Sequence, residues 1–369
     1  MQLTRKKKTG AVVGLDIEAG SIAAAELRVN GSVEVAGAGI EPLVSGAFRE
    51  GEVSDPDAIA EALKSLFSRY QLSKQVRLGV GNQRVIVRTV RLPAIEDPKE
   101  MDAAIRFQAQ EQIPMPLDQA VLEYQVVGGV PAEEGSVPKV DVVVIAARRE
   151  MVSSFVEPLR RAGLEPVGVD LSAFGMIRAL AAIGAAPVAA AMDGEDASAQ
   201  GLSRPQDAVL YCNVGDVMNL AVARGRACLF TRVSAAGMEQ ISGRLTSERS
   251  LSAEHATQWL THVGLESPLT EVEGDAETVA AARRVLEEGV TGLVDELRLS
   301  LDYYAAQESA IPVSSVVLAG PGSAIAGLAR RMQEGLGLPI SVARPAALTG
   351  YDDGTAARLT LAYGLALES

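Results

Sequence analysis

Three glycine-containing turns carry the residue types that bind phosphate groups and a metal ion. Backbone N–H groups in such a turn can converge on an anion, and a nearby carboxylate can hold a hydrated Mg²⁺. Each of the first two turns alone is typical of an ordinary hairpin, so their recurrence in both halves is the informative feature. The candidate nucleotide-binding residues are Asp16, Glu18, Gly20 and Ser21 in the first turn, Asn213, Gly215 and Asp216 in the second, and Gly320, Gly322 and Ser323 in the third.

Strand-like runs place these turns. The apolar runs are 11–17, 22–29 and 33–40 in the first half, and 208–214, 217–223 and 227–233 in the second. Asn30-Gly31, between alternating runs, predicts a hairpin. The third turn follows a buried strand at 313–319 and opens a helix, whose N-terminus favours an anion. This order predicts an α/β fold with two duplicated, strand-rich halves.

The chain divides into two lobes that each carry an insertion. Composition shifts to Asp, Ser, Gly and Pro near residue 200, which predicts a linker. A block of strand, helix, strand, strand and helix is predicted to be a compact inserted module. The predicted assignment is 1–83 and 166–192 to the first lobe (1A), 84–165 to the module (1C), 193–206 to the linker, 207–236 and 311–369 to the second lobe (2A), and 237–310 to a helical subdomain (2B).

A stiff apolar strip follows the first helix of the module, which Asp97-Pro98 is predicted to begin. Pro114 and Pro116 lack a backbone N–H and bias their preceding residues toward extended backbone. The strip therefore projects Ile113, Met115 and Leu117 instead of continuing the helix. Two interpretations stay open: these side chains pack the module's own core, or they form a wall of a binding groove with Met115 as an adaptable contact.

Composition argues against several classes of function. The formal net charge of −13 does not predict nucleic-acid binding, which needs a basic surface. The basic cluster at 5–8 could contact an anionic membrane, although a solvated tail explains it as well. Cys212 and Cys228 lie in apolar runs and are predicted to be buried free thiols. His255 and His262 lie two helical turns apart, so helix spacing alone does not let them share a metal ion.

Neither a membrane span nor a secretory signal is predicted. The apolar run 179–192 is interrupted by Gly184 and Pro187 and falls short of the roughly 20 residues that a span needs. The basic cluster near the N-terminus leads into a segment containing Asp16 and Glu18, which is unlike a signal peptide. We therefore expect a cytoplasmic protein.

Several segments resemble one known family. They are Val13 to Ile17, Ala104 to Asp118, Glu296 to Tyr304, Gly320 to Leu328 and Ala362 to Leu367. In this order they resemble the PilM-type proteins of type IV pilus assembly, relatives of the cell-division protein FtsA in the actin superfamily. The helix that ends in Ile-Pro-Met-Pro-Leu-Asp is the most specific segment, because sugar kinases and chaperones of the superfamily lack this module. The resemblance implies an actin-like two-lobed fold with an inserted SHS2-like module.

The resemblance also implies partners. Such a protein binds ATP with Mg²⁺ and captures the N-terminal cytoplasmic peptide of a PilN-like membrane protein in a groove beside the module, for which Ile113, Met115 and Leu117 are the candidate contacts. It would sit at the inner face of the inner membrane through that partner and link it to the pilus motor ATPases. An extended peptide in a groove gains backbone pairing and a few apolar pockets.

The sequence departs from the family pattern in the phosphate turns. The family has Gly where Glu18 stands, Lys where Ala23 stands and Asp where Asn213 stands. These changes remove a cation, place an anion beside phosphate oxygens and weaken the metal site. Restoring all three family residues is expected to raise ATP affinity.

The expected function is therefore a pilus-assembly scaffold with a degenerate ATP site, and no catalytic residue is assigned. Two alternatives stay open at this point: an active actin-fold ATPase or sugar kinase, and an FtsA-like filament-forming protein. A kinase would need a strongly charged metal site and a base for a hydroxyl proton.

Overall fold

The computed structural model describes residues 11–29, 32–130, 137–184, 207–307 and 310–367. The strands are β1 (Val13–Ile17), β2 (Ser21–Val29), β3 (Val33–Pro42), β4 (Phe48–Arg49), β5 (Glu52–Val53), β6 (Gln75–Val80), β7 (Ile86–Pro93), β8 (Ala120–Val130), β9 (Lys139–Arg148), β10 (Glu165–Leu171), β11 (Ala208–Val214), β12 (Met218–Arg224), β13 (Ala227–Ser234), β14 (Val313–Ala319) and β15 (Ile340–Val342). The helices are α1 (Pro56–Tyr70), α2 (Pro98–Gln112), α3 (Arg149–Arg161), α4 (Ser172–Gly184), α5 (Met238–Arg249), α6 (Ala253–Val263), α7 (Ala276–Ala305), α8 (Leu328–Leu336) and α9 (Asp353–Ala366). The predicted linker 193–206, the Asn30-Gly31 turn and the basic cluster 5–8 lie outside the described residues.

Each half is built on a sheet with the same plan. The first sheet has the order β10-β6-β1-β2-β3, and the second has the order β13-β12-β11-β14-β15. In both, the first strand pairs antiparallel with the next strand and parallel with a later one. This confirms the duplicated, strand-rich halves. The edge strands β10 and β15 carry few strand signals and are absent from the sequence prediction.

Capping residues begin the helices where the sequence places them. Asp55 and Asp97 each accept two backbone N–H groups at the starts of α1 and α2, and a proline follows each cap. The predicted helical subdomain begins with two separate helices, because Ser250 adopts a left-handed conformation with φ of 54° and ends α5. Ser252 then caps α6 by accepting the N–H of His255.

The predicted module, 84–165, includes a three-stranded sheet and two helices that pack differently. Its sheet has the order β7-β9-β8, and α2 packs on it through Met101, Ile105 and Ala109. Helix α3, assigned to the module by its place in the sequence, instead puts Phe155 and Leu159 into the core of the first lobe beside α1. The spacing of its apolar residues gives α3 one apolar face, and this face packs against the first lobe.

Helices α4 and α9 lie between the two sheets and cross each other. Their apolar residues share one core with side chains of both lobes, such as Ala25 and Tyr211. Helix α9 contacts β1, β2 and β6 although its sequence position assigns it to the second lobe, and α4 contacts β11 and β12. A side chain at Gly364 would collide with the backbone of Gly175, so two glycines are what lets the helices approach this closely.

The helical subdomain packs against the second sheet. Helices α5, α6 and α7 enclose buried residues that include Ile241, Leu260 and Leu293. Within the described part of the chain, no helix has the length and hydropathy that a membrane crossing requires.

Candidate functional site

The β1–β2 turn and the β11–β12 turn face each other across the junction of the lobes. Asp16 is 4% exposed and Glu18 is 9% exposed at the first turn. The backbone N–H of Gly20 donates to Oδ2 of Asp216 in the second turn, at 3.3 Å. The structure therefore brings together the two turns that the sequence singled out.

The contact between the turns is reciprocal. The carboxyl group of Asp216 accepts the backbone N–H of Gly20, and the N–H of Ala19 faces it as well. The backbone N–H of Asp216 faces the carboxyl group of Glu18. Glu18 also lies so close to Gly215 that a side chain at Gly215 would strike its Oε1. Each turn thus directs N–H groups at an acidic side chain of the other turn.

Arg358 of α9 is the cation of this site. Its guanidinium donates to Oδ2 of Asp16 at 2.5 Å, to the carbonyl oxygen of Asp16 at 3.1 Å, and to the hydroxyl and carbonyl oxygens of Ser21 at 2.9 and 2.8 Å. Its Nε lies 3.4 Å from Oε2 of Glu18. Arg358 is 6% exposed, so the cluster is screened from solvent.

Sequence reasoning missed Arg358. The one available signal is a basic residue inside the apolar run of the last helix, where its neighbours Ala357 and Leu359 are buried. A buried arginine normally has an ionic partner, so Arg358 indicates a buried charged site. Its partners lie more than three hundred positions earlier in the chain, and sequence spacing does not reveal them.

Burial and crowding shift the acids of the cluster. Burial raises the pKa of Glu18 to about 8; Arg358 opposes this shift, while Asp216 and Asp16 add to it. Burial likewise raises the pKa of Asp216, against the effect of Arg358 and of the two backbone N–H groups. With a pKa near 8, the Glu18 carboxyl group carries a proton through much of the neutral range.

The third turn packs beneath the second. Gly320 has a φ of 83° and lies against the side chain of Asn213, which is 1% exposed. Ser323 turns its hydroxyl back to the carbonyl oxygen of Gly320, at 2.7 Å. A side chain at Gly322 would meet Val214. These glycines therefore serve close packing between β14 and β11 in this structure.

The residues of the cleft do not fit ATP with Mg²⁺ in this arrangement. The space lined by Asp16, Glu18, Asp216 and Glu239 is about 20 Å³, enough for about one water molecule. Oε2 of Glu239 accepts the N–H of Glu50 at 3.1 Å, which joins the lobes a second time. Among the described residues, no group of three or more His, Cys, Asp or Glu side chains is placed to hold a metal ion.

Two larger grooves lie beside the inserted module. The β10 groove, of about 660 Å³, runs between the first lobe and strands β8 and β9 and is lined by Tyr124, Ile145, Val169, Leu171, Phe174 and Arg226 among others. The β7 groove, of about 770 Å³, runs between β7 and the second lobe and is lined by Val87, Thr89, Gln108, Phe230, Arg232 and Tyr303 among others.

The apolar strip lines neither groove. Ile113 is 4% exposed and belongs to the module core, and Met115 and Leu117 pack against that core. The prolines do end the helix, since Ile113 is already extended. The geometry favours the core interpretation of the strip over the groove interpretation.

The paired sheets, facing turns and inserted module define an actin-like two-lobed fold, and solved structures agree. The ADP-bound MreB5 of Spiroplasma citri matches with a TM-score of 0.50 at 13% identity, over 97% of this chain and 95% of that one. The ethanolamine utilization protein EutJ of Carboxydothermus hydrogenoformans matches with a TM-score of 0.51 at 13% identity, over 98% and 91%. A PilM-PilN type IV pilus biogenesis complex matches with a TM-score of 0.76 at 24% identity, over 97% and 98%.

The sequence itself assigns the family. The pattern of the family described as "Type IV pilus assembly protein PilM" matches residues 14–369. The chain therefore belongs to the PilM family of type IV pilus assembly proteins. This confirms the resemblance inferred from the module helix and the turns.

Proposed function

We propose that this chain is a cytoplasmic scaffold of type IV pilus assembly that holds the N-terminal cytoplasmic segment of a PilN-like inner-membrane protein in the β10 groove. The observation that carries the proposal is the edge position of β10, whose one neighbour among the described strands is β6. The second edge of β10 faces a groove large enough for several residues of extended chain.

An added strand suits this groove. An edge strand presents unpaired backbone N–H and C=O groups, and a partner strand can satisfy them. Val169 on β10 is 40% exposed, which is unusual for a valine beside a large apolar wall. Leu171, Phe174 and Tyr124 offer apolar pockets for alternate side chains of the incoming strand.

Family membership and one solved complex support the partner. The structure that matches with a TM-score of 0.76 contains PilM together with PilN. A PilN-like partner would bring this chain to the inner face of the inner membrane, as peripheral association through the partner. From there it would link the periplasmic complex to the cytoplasmic motor ATPases.

The other two hypotheses have less support. An active ATPase or sugar kinase needs space and cations at the phosphate turns, where this chain has about 20 Å³ and three carboxyl groups. No feature of the described residues favours filament formation over the scaffold, and the family match concerns pilus assembly.

The test is binding of a synthetic N-terminal peptide from a PilN-like protein of the same organism, followed by fluorescence anisotropy. Val169→Glu should weaken binding at least about tenfold, because it places an unpaired charge against an apolar peptide. Val44→Glu is the matched control: Val44 is 71% exposed and lines neither groove, so affinity should be unchanged.

A third variant separates the two predicted locations. Met115→Glu should leave peptide affinity unchanged if the β10 groove is the site, and should weaken it if the strip forms the groove wall. Wild-type affinity in Val169→Glu, or equal losses in Val169→Glu and Val44→Glu, would exclude the β10 groove.

A further inference from the structure

We propose that Glu18 and Asp216 take the place of nucleotide phosphates in this chain, with Arg358 as their cation, so that the two lobes stay closed without a bound nucleotide. The junction between the lobes is thereby a permanent clasp built from acidic side chains, backbone amides and Arg358, and not a nucleotide site. We call this group of three residues the clasp.

The backbone N–H groups of the two turns already have acceptors within the protein. In a phosphate-binding hairpin, the N–H groups of the turn converge on phosphate oxygens. Here the N–H groups of Ala19 and Gly20 converge on Asp216, and the N–H of Asp216 points at Glu18. A carboxylate and a phosphate use the same donors, so both cannot occupy the turn at once.

Arg358 supplies the positive charge beside the first turn. Ser21 and Ala23 lie two positions apart on β2 and so on one face of the strand. Arg358 bonds both oxygens of Ser21 from α9, while Ala23 is fully buried in the core that α9 shares. Residue 23 is an alanine and carries no charge, so the positive charge beside this turn comes from Arg358 on the last helix.

Acidic side chains outnumber the cation at this site. Asp16, Glu18 and Asp216 face one guanidinium, and Glu239 lines the same small space. Burial raises the pKa values of both Glu18 and Asp216, so this site holds negative charge poorly even with Arg358 beside it. Bound phosphates would add negative charge to a cluster in which acidic groups already outnumber the one guanidinium.

Amide exchange at single-residue resolution tests the clasp on the full chain. Glu18→Gly should speed exchange of the Asp216 amide by about tenfold or more, since that amide loses its acceptor. Asp216→Ala should do the same for the amides of Ala19 and Gly20. Wild-type exchange at all three amides should be unaffected by millimolar MgATP.

Controls distinguish local effects from unfolding. Glu26 is a carboxylate that accepts a backbone N–H outside the cleft, from Ser73 at 2.9 Å. Glu26→Gln should therefore leave exchange at Ala19, Gly20 and Asp216 unchanged. If Glu18→Gly does not fold, Glu18→Ala removes the same acceptor with a smaller backbone effect.

Three results would overturn the clasp. They are protection of these amides by MgATP in the wild type, release of about one nucleotide per chain from the purified protein on denaturation, and unchanged exchange in folded Glu18 and Asp216 variants. These readouts involve no peptide, so failure of the clasp and failure of the scaffold proposal are separate outcomes.

Discussion

Glu18 should make the stability of this protein depend on pH in a way that one substitution removes. Its pKa is about 8 in the folded chain, against a usual value of 4.5. Because the folded pKa is the higher one, Glu18 contributes its full stabilisation below about pH 4.5, and this contribution is lost as pH rises toward about 8. Glu18→Gln keeps the shape of the side chain and removes the titration.

The size of the effect follows from the proton linkage. Between the two pKa values, the free energy of unfolding of the wild type, less that of Glu18→Gln, should fall by about 1.4 kcal/mol per pH unit. From about pH 5.5 to about pH 7.5 the fall amounts to roughly 3 kcal/mol. Lowered pKa values elsewhere, such as those of Asp275 and Asp352, act in both proteins and cancel in the difference.

Urea unfolding of both proteins at three pH values in this range measures the difference directly. A difference that stays constant with pH, or that rises, would refute the description of Glu18 as a buried carboxyl group that retains its proton.

Two further predictions concern the helix crossing and the nucleotide turns. Gly364→Ala should lower the free energy of unfolding by about 3 kcal/mol, because the new methyl group meets the backbone of Gly175. Gly243 lies in a helix with open space around it, so Gly243→Ala should be neutral or slightly stabilising in the same urea assay. The triple variant Glu18→Gly, Ala23→Lys, Asn213→Asp should gain little MgATP affinity by calorimetry, because Asp216 still accepts the N–H of Gly20 and Arg358 still bonds Ser21. A gain of about tenfold or more would contradict the clasp.

Local sequence signals predicted most of the elements. Asp-Pro pairs begin α1 and α2, and apolar runs give the central strands of both sheets. The two acidic turns were predicted to lie at the ends of duplicated strands, and the structure places them there. The sequence missed the short pair β4 and β5 and, in the large sheets, β10 and β15. Each of these last two forms one edge of its sheet, and their partly exposed residues show a weaker pattern.

Local sequence signals do not reveal long-range packing. Chain order puts helix α3 in the predicted module and α9 in the predicted second lobe, and the structure shows that both also pack against the first lobe. An amphipathic helix shows which of its faces is buried but not which partner covers that face. The strip at Ile113, Met115 and Leu117 shows the same limit, since apolar residues on extended chain suit a core and a groove equally well.

The sequence by itself determined the duplicated α/β halves, the inserted module, the family and the pair of acidic turns, because periodicity, caps and turn residues act over a few positions. The tertiary structure decided that the turns bind each other and that Arg358 completes them. It also decided that α4 and α9 cross at Gly175 and Gly364 and that β10 borders a groove. These contacts join residues far apart in the chain, and their free energies depend on burial and on distances that only the folded chain defines.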